Sequence, residues 1–269
     1  MGQVAPATPQ RSLTRGAVSA VSKPAIAVGG FVAMCLDTFV LMFKPPFAWR
    51  EFLLQSWFVA RVSIVPTIML SIPFTVLTVF VLNILLIEFG AADYSGTGTA
   101  LGAITQIGPV VTVLVVAGAG ATAMCADLGA RTIREELDAL RVLGINPIQS
   151  LVVPRVLAAT LVALLLNSIV SVIGLGGGFL FSVFVQHVTP GAFAGGMTIL
   201  VGPVEVIVAL CKAAVFGLAA SLIACYKGIS VGGGPAGVGN AVNETVVLSF
   251  MALFFINVIA TAIGVEAAK

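Results

Sequence analysis

Two charged residues, Glu205 and Lys212, stand in an otherwise apolar stretch, seven positions apart. On a helix that spacing is close to two turns, so both side chains share one face. A carboxylate and an ammonium placed this way in hydrocarbon could relay an ion or proton, contact a lipid headgroup or gate a cavity. A Lys at mid-bilayer costs about 2.5–3.5 kcal/mol on insertion scales, so it needs a partner or a use. The structural alternative leaves Glu205 at the outer interface and pairs Lys212 with a neighbouring helix.

Enzymatic chemistry has little to work with. His187 is the single histidine, with no acidic residue nearby in sequence to complete a Ser-His-Asp arrangement. There is no H-E-x-x-H, no Cys/His cluster at zinc spacing and no Asp-rich diphosphate–metal motif. Cys35, Cys125, Cys211 and Cys225 all lie in apolar stretches and read as small buried hydrophobes. No catalytic activity, metal or cofactor is expected of this chain.

Gly232-x-Gly234-x-x-Gly237 formally matches the dinucleotide fingerprint, but that motif needs a strand before it and a helix after it. Here Gly232, Gly233, Gly234, Gly237 and Gly239 fall between two apolar runs, which reads as a cytoplasmic turn. Gly174 and Gly178 form a G-x-x-x-G pattern that lets helices approach closely. No G-x-x-x-x-G-K-[ST] occurs, so if ATP drives this protein, ATP and its Mg belong to another chain.

The elements that must carry these residues are set by composition. Of 269 residues 59% are hydrophobic and 9% charged, with mean hydropathy +1.14 and net charge +2. A soluble domain is about a quarter charged, and disorder needs low hydrophobicity. The near-neutral balance gives no pull toward nucleic acid. The chain reads as an all-α polytopic membrane protein.

A span needs about 20 apolar residues. Val62–Ile87 carries 26 uncharged residues, interrupted by Pro66 and Pro73, and Ala103–Ala126 supplies a second span. From Arg155 to Glu205 the chain is uncharged for 49 residues, too long for one crossing, with a turn expected at His187–Gly191. A fourth span is expected over Thr198–Tyr226 and a fifth over Thr245–Val265.

Pro24–Phe43 is apolar but holds Asp37 and is flanked by Lys23 and Lys44. Placing it in the interface with the N-terminus inside puts eleven of the thirteen basic residues in the cytoplasm; a sixth span would export Arg11, Arg15 and Lys23. Residues 1–22 then form a flexible cytoplasmic tail with no signal-peptide core. Residues 23–60 form an interfacial elbow, continued by Trp49 to Trp57 in the headgroup layer. Residues 61–269 hold five spans, ending outside.

Between spans 2 and 3 lies the one hydrophilic island: Asp127, Arg131, Arg134, Glu135, Glu136, Asp138 and Arg141. Ile133, Leu137 and Leu140 form an apolar stripe, and Arg131–Glu135 and Arg134–Asp138 are i, i+4 pairs, so a helix is expected over 127–145. Gly144 suits a left-handed cap before Asn146-Pro147. The island is either a solvated joint or a docking element for a cytoplasmic partner.

These residues resemble a family. Ala126-Asp-Leu-Gly129, Glu135-Glu-Leu-Asp-Ala-Leu140, Leu143-Gly-Ile-Asn-Pro147 and Pro154-Arg155 look like the signature of the MlaE/YrbE permeases. Lys212-Ala-Ala-Val-Phe-Gly217, Cys225-Tyr-Lys-Gly228 and Gly232–Gly239 agree. The run Arg131-Thr-Ile-Arg-Glu-Glu136 looks more like members from mammalian-cell-entry (Mce) operons than Mla-type members, and Asp127 stands where many relatives carry Glu.

The resemblance implies an inner-membrane permease of an ABC-type lipid transporter, with the island as its coupling helix. Its partners would be a second YrbE-type permease (a heterodimer, as in Mce systems), a cytoplasmic ABC ATPase dimer and MCE-domain proteins forming an outer tunnel. The cargo would be an imported hydrophobic lipid or fatty acid. A secondary transporter or channel using Glu205 and Lys212 is the alternative, and a scaffold without a transport cycle is a third.

Overall fold

Apolar runs become helices in a membrane because every backbone N–H and C=O must be bonded inside its own segment. The computed structural model describes residues 10–91 and 94–267, and among these the regular structure is helical throughout. We number the helices α1 (Gln10–Met42), α2 (Trp49–Glu88), α3 (Ser95–Ile133), α4 (Glu136–Val142), α5 (Ile148–Phe184), α6 (Pro190–Leu200), α7 (Pro203–Ile229) and α8 (Gly234–Ala267). Five of them, α2, α3, α5, α7 and α8, are long and apolar enough to cross a membrane.

The apolar part of α1, Ile26–Met42, is shorter than a span. It leans on α7, where the Tyr226 hydroxyl donates to Ala27 O at 2.7 Å and Phe31 meets the Tyr226 ring edge-on. Helix α1 starts at Gln10, inside the segment expected to be a tail; residues 1–9 of that tail lie outside the described residues. Trp49 to Ala60, expected in a second elbow helix, belong to the same helix as the first span. Nothing between Arg50 and Val65 breaks that helix, and Glu51 favours its first turn through the helix dipole.

Helix α3 is the axis of the molecule. In its most apolar stretch 72% of residues are buried, against 22% in α2 and 11% in α8. It reaches well beyond the expected Ala103–Ala126 and includes two π-helical stretches, Gly102–Ile107 and Val116–Ala121. Val111, Val113, Ala117 and Met124 pack with Leu166 of α5 and Phe216 of α7 in the main core. Small residues set the separations. A Cβ on Gly174 would lie 2.7 Å from Ala103 Cβ, one on Gly178 would overlap the Thr99 side chain, and one on Gly217 would stand 2.7 Å from Ala159 O. Such close backbone approach is how membrane helices gain van der Waals contact where lipid supplies no hydrophobic drive.

The expected turn after the third span is where His187 adopts φ 57°. It opens into α6, whose last three residues, 198–200, were expected to begin the fourth span. The chain breaks instead at Val201-Gly202, and α7 starts at Pro203. The reason is local: Pro at the first helical position and Glu205 at the third form a start signal. Helix α6 seats Phe193 against Phe179 and accepts a hydrogen bond from Thr97 Oγ1 at Gly196 O, 2.7 Å, which fixes it on the start of α3.

Candidate functional site: the charged island and the Glu205–Lys212 cleft

The island is not one helix over 127–145. Asp127 and Arg131 lie in the last turns of α3, which ends at Ile133. Arg134 then leaves helical geometry, Glu135 sits at φ 60°, and α4 covers only Glu136–Val142. A left-handed residue turns the chain and destroys the i, i+4 register across it. The expected Arg131–Glu135 and Arg134–Asp138 pairs are therefore replaced by Arg134–Glu136 at 3.0 Å and Arg141–Asp138 at 2.7 Å. The bend divides the expected apolar stripe: Leu137 and Leu140 pack in a cluster with Met34, Leu151 and Leu222, whereas Ile133, at the end of α3, lies beside Pro235 and Val238.

Gly144, at φ 77°, closes α4 as its position suggests. Gly144 N donates to Arg141 O at 3.0 Å and Ile145 N to Leu140 O at 2.9 Å, the paired bonds of a Schellman cap. Asn146 Oδ1 then accepts from Ile148 N at 3.0 Å and starts α5. The cap holds Val142, Leu143 and Ile145 out in solvent; Val142 is 88% and Leu143 72% exposed. Beside them a cleft of about 360 Å³ runs between Phe47 and Gln149, whose amide donates to Lys44 O at 3.0 Å.

Asp127 and Arg131 face inward, into a charge network that sequence spacing did not reveal. Arg155, at the base of α5, is fully buried. Its Nη2 lies 2.6 Å from Asp127 Oδ2, and its Nη1 is 2.9 Å from Leu151 O and 3.3 Å from Glu51 Oε1. Arg131 stands 3.5 Å from Asp127 and 4.0 Å from Glu51. Two guanidiniums thus balance two carboxylates from three helices, as burial of charge requires. Pro154-Arg155 was visible in sequence, but only as part of a family signature; Glu51 carried no signal.

The glycine-rich turn is shorter than expected. Gly232 and Gly233 are in the turn, whereas Gly234, Gly237 and Gly239 belong to the first turns of α8. Gly233 and Gly234 have φ of 81° and 73°, and a Cβ on Gly237 would overlap Gly232 O, so side chains are excluded by geometry. Val231 and Val238 pack on Gly129 of α3, which places this turn beside the island. A membrane helix, not a strand, precedes it.

At the opposite end, Glu205 and Lys212 line one cleft of about 350 Å³ with Leu101, Thr105, Gln106 and Thr261. They form no ion pair with each other. Glu205 Oε2 accepts from Gly202 N at 2.7 Å, capping its own helix. Lys212 is 5% exposed and its Nζ donates to Thr261 Oγ1 at 2.9 Å, a partner on α8 that sequence gave no means of finding. One bond to a hydroxyl leaves the other two ammonium donors for whatever enters the cleft.

Residues 52–263 match the family model described as permease MlaE. The chain belongs to the MlaE permease family. It is 33% identical to a probable ABC transporter permease protein of Synechocystis over 64% of this chain and 65% of that one. It is 29% identical to a probable ABC transporter permease protein of Rickettsia bellii over 87% and 91%. A third relative, the intermembrane phospholipid transport system permease protein MlaE of Haemophilus influenzae, is 29% identical over 67% and 69%. The match thus spans just under two thirds of the Synechocystis protein. As an MlaE-family permease the chain is a multi-pass inner-membrane protein, and the island and the Lys212 cleft both lie inside the matched region.

Proposed function

We propose that this permease is one half of the transmembrane core of an ATP-driven lipid transporter, taking up a hydrophobic lipid or fatty acid. Its partners are a second YrbE-type permease, a cytoplasmic ABC ATPase dimer and MCE-domain proteins that deliver lipid from the outer face. The N-terminus lies in the cytoplasm and the C-terminus outside, the orientation that keeps eleven of thirteen basic residues inside.

The exposed tip of the island carries this reading. Val142 and Leu143 stand exposed at the end of a short helix anchored by buried Leu137, with charged Glu135, Asp138 and Arg141 along the same segment. An exposed apolar end on a charged segment has the make-up of a protein interface core with polar surroundings. ATP-driven closure of the partner ATPases pushes this tip. Helix α3, continuous with the island's root, passes the displacement into the spans. In the cleft at the far end, Lys212 meets the polar end of the lipid while Leu101, Leu200 and Val208 line the wall for its chain. Glu205, occupied by its cap, is a poor member of an ion relay, which is why the transporter reading is preferred to a channel.

Affinity purification of the tagged chain from native membranes in mild detergent, with partners identified by mass spectrometry, tests the assembly. Recovery of an ABC ATPase, a second permease and MCE-domain proteins is expected. Recovery of the chain alone, where a reference ABC complex survives the same treatment, overturns it.

A further inference from the structure

The four-charge network is graded. Arg155–Asp127 is short at 2.6 Å, whereas Glu51 Oε1 sits 3.3 Å from Arg155 and 4.0 Å from Arg131, within reach of both guanidiniums. Gln55 Nε2 holds the same oxygen at 3.0 Å from one turn further along α2. Among the described residues Arg155 Nε and Arg131 Nε lack a hydrogen-bond partner, so neither guanidinium is saturated.

Asp127 opens the island and Arg155 follows it. Their bond therefore straps the island's two roots, α3 and α5, into one unit. Glu51 is the carboxylate that α2 contributes. Moving Glu51 from Arg155 to Arg131 exchanges one cation for another and leaves no buried charge uncompensated, and Arg155 keeps Asp127 and Leu151 O throughout. A second arrangement of similar electrostatic content, with Glu51 on Arg131 and α2 shifted against α3 and α5, would make this a two-position element; packed interfaces switch between such positions instead of deforming continuously.

We propose that Glu51 is a positioning residue, the sliding tooth of an ionic clutch. It transfers from Arg155 to Arg131 and so passes movement of the island to the first span. This rests on the reading that an ATPase acts on the island.

The test follows, in the assembled complex, the thiol reactivity of two positions that are exposed in the single chain. Cys35 and Cys211 are replaced by alanine while buried Cys125 and Cys225 stay. Ile145→Cys reports the island and Leu53→Cys reports α2, each labelled with a maleimide without nucleotide and with ATP and vanadate. With Glu51 intact, nucleotide should change labelling at both positions. In Glu51→Gln the change at Ile145→Cys should persist and that at Leu53→Cys should be lost. A purely structural Glu51 would lower melting temperature but leave both changes in place, and that result overturns the clutch. If Glu51→Gln does not assemble, Arg131→Gln, which leaves every Arg155 contact intact, should show the same selective loss. Absence of any nucleotide response at Ile145→Cys with Glu51 intact would instead refute the ATPase reading itself.

Discussion

Arg155 and Asp127, 28 residues apart in sequence, are joined by a 2.6 Å contact that closes the island into a loop anchored at both ends. The guanidinium has no exposure to water, and among the described residues its charge is met by Asp127, Glu51 and a backbone carbonyl. Removing Arg155 leaves two part-buried carboxylates to share Arg131 alone, at 3.5 and 4.0 Å.

Arg155→Leu should therefore destabilise the protein by up to about 3 kcal/mol, the low end for breaking a buried pair, since Arg131 still faces both carboxylates. Thermal unfolding in detergent measures it. Arg155→Leu combined with Asp127→Leu, which removes both ends of the 2.6 Å contact, should recover part of that loss.

Close approach of α5 and α7 depends on Gly217. Gly217→Val should cost at least about 1–3 kcal/mol, because its Cβ meets the Ala159 carbonyl and Ala163, neither of which is the free end of a flexible side chain. Gly176→Ala is the control: its Cβ would meet nothing within 4 Å, and loss of a helical glycine should be neutral or stabilising by up to about 1 kcal/mol. Monodispersity on size exclusion and melting temperature separate the two.

Leu143→Asp should abolish ATPase co-purification without changing melting temperature, since its side chain is largely in solvent. Glu135→Lys combined with Asp138→Lys should act in the same direction by reversing the rim. A double charge variant that still recovers the ATPase would confine the contact to the apolar tip.

Lys212→Met should keep or raise stability, because a buried ammonium is replaced by a thioether of similar length, yet reduce lipid uptake. Glu205→Ala should behave oppositely, costing about 0.5–2 kcal/mol through loss of the cap while uptake per folded molecule stays near normal. Uptake of a fluorescent fatty acid by proteoliposomes of the complex, normalised to folded protein, distinguishes the two roles.

The five spans were legible because charge-free runs of membrane length leave one structural option, and Gly144 was legible because its cap is a local event. Glu205 and Lys212 were legible as neighbours on one helix face by spacing alone; the partner of Glu205 is Gly202, three residues away, in the Pro203–Glu205 start signal. The break at Glu135 was hidden because helical pattern continues across it, and one backbone angle decides the register. Arg155, Glu51 and Thr261 meet their partners across helices, and no local spacing encodes which faces three helices will turn toward one another.

Helix α2 exposes apolar side chains on both sides of an exposed Arg61: Leu53, Leu54 and Trp57 before it, and Ile64 through Met69 and Leu77 to Leu85 after it. At 1.5 Å per residue the second row is about 32 Å long, close to the roughly 30 Å of hydrocarbon, so the first span fits with only a slight lean. The turns from Trp49 to Arg61 run on for about 18 Å beyond that row, a length that suits the headgroup layer and its aromatic side chains. Arg61 is thus a depth mark written into the helix: one guanidinium sets how far this flank of the molecule can sink.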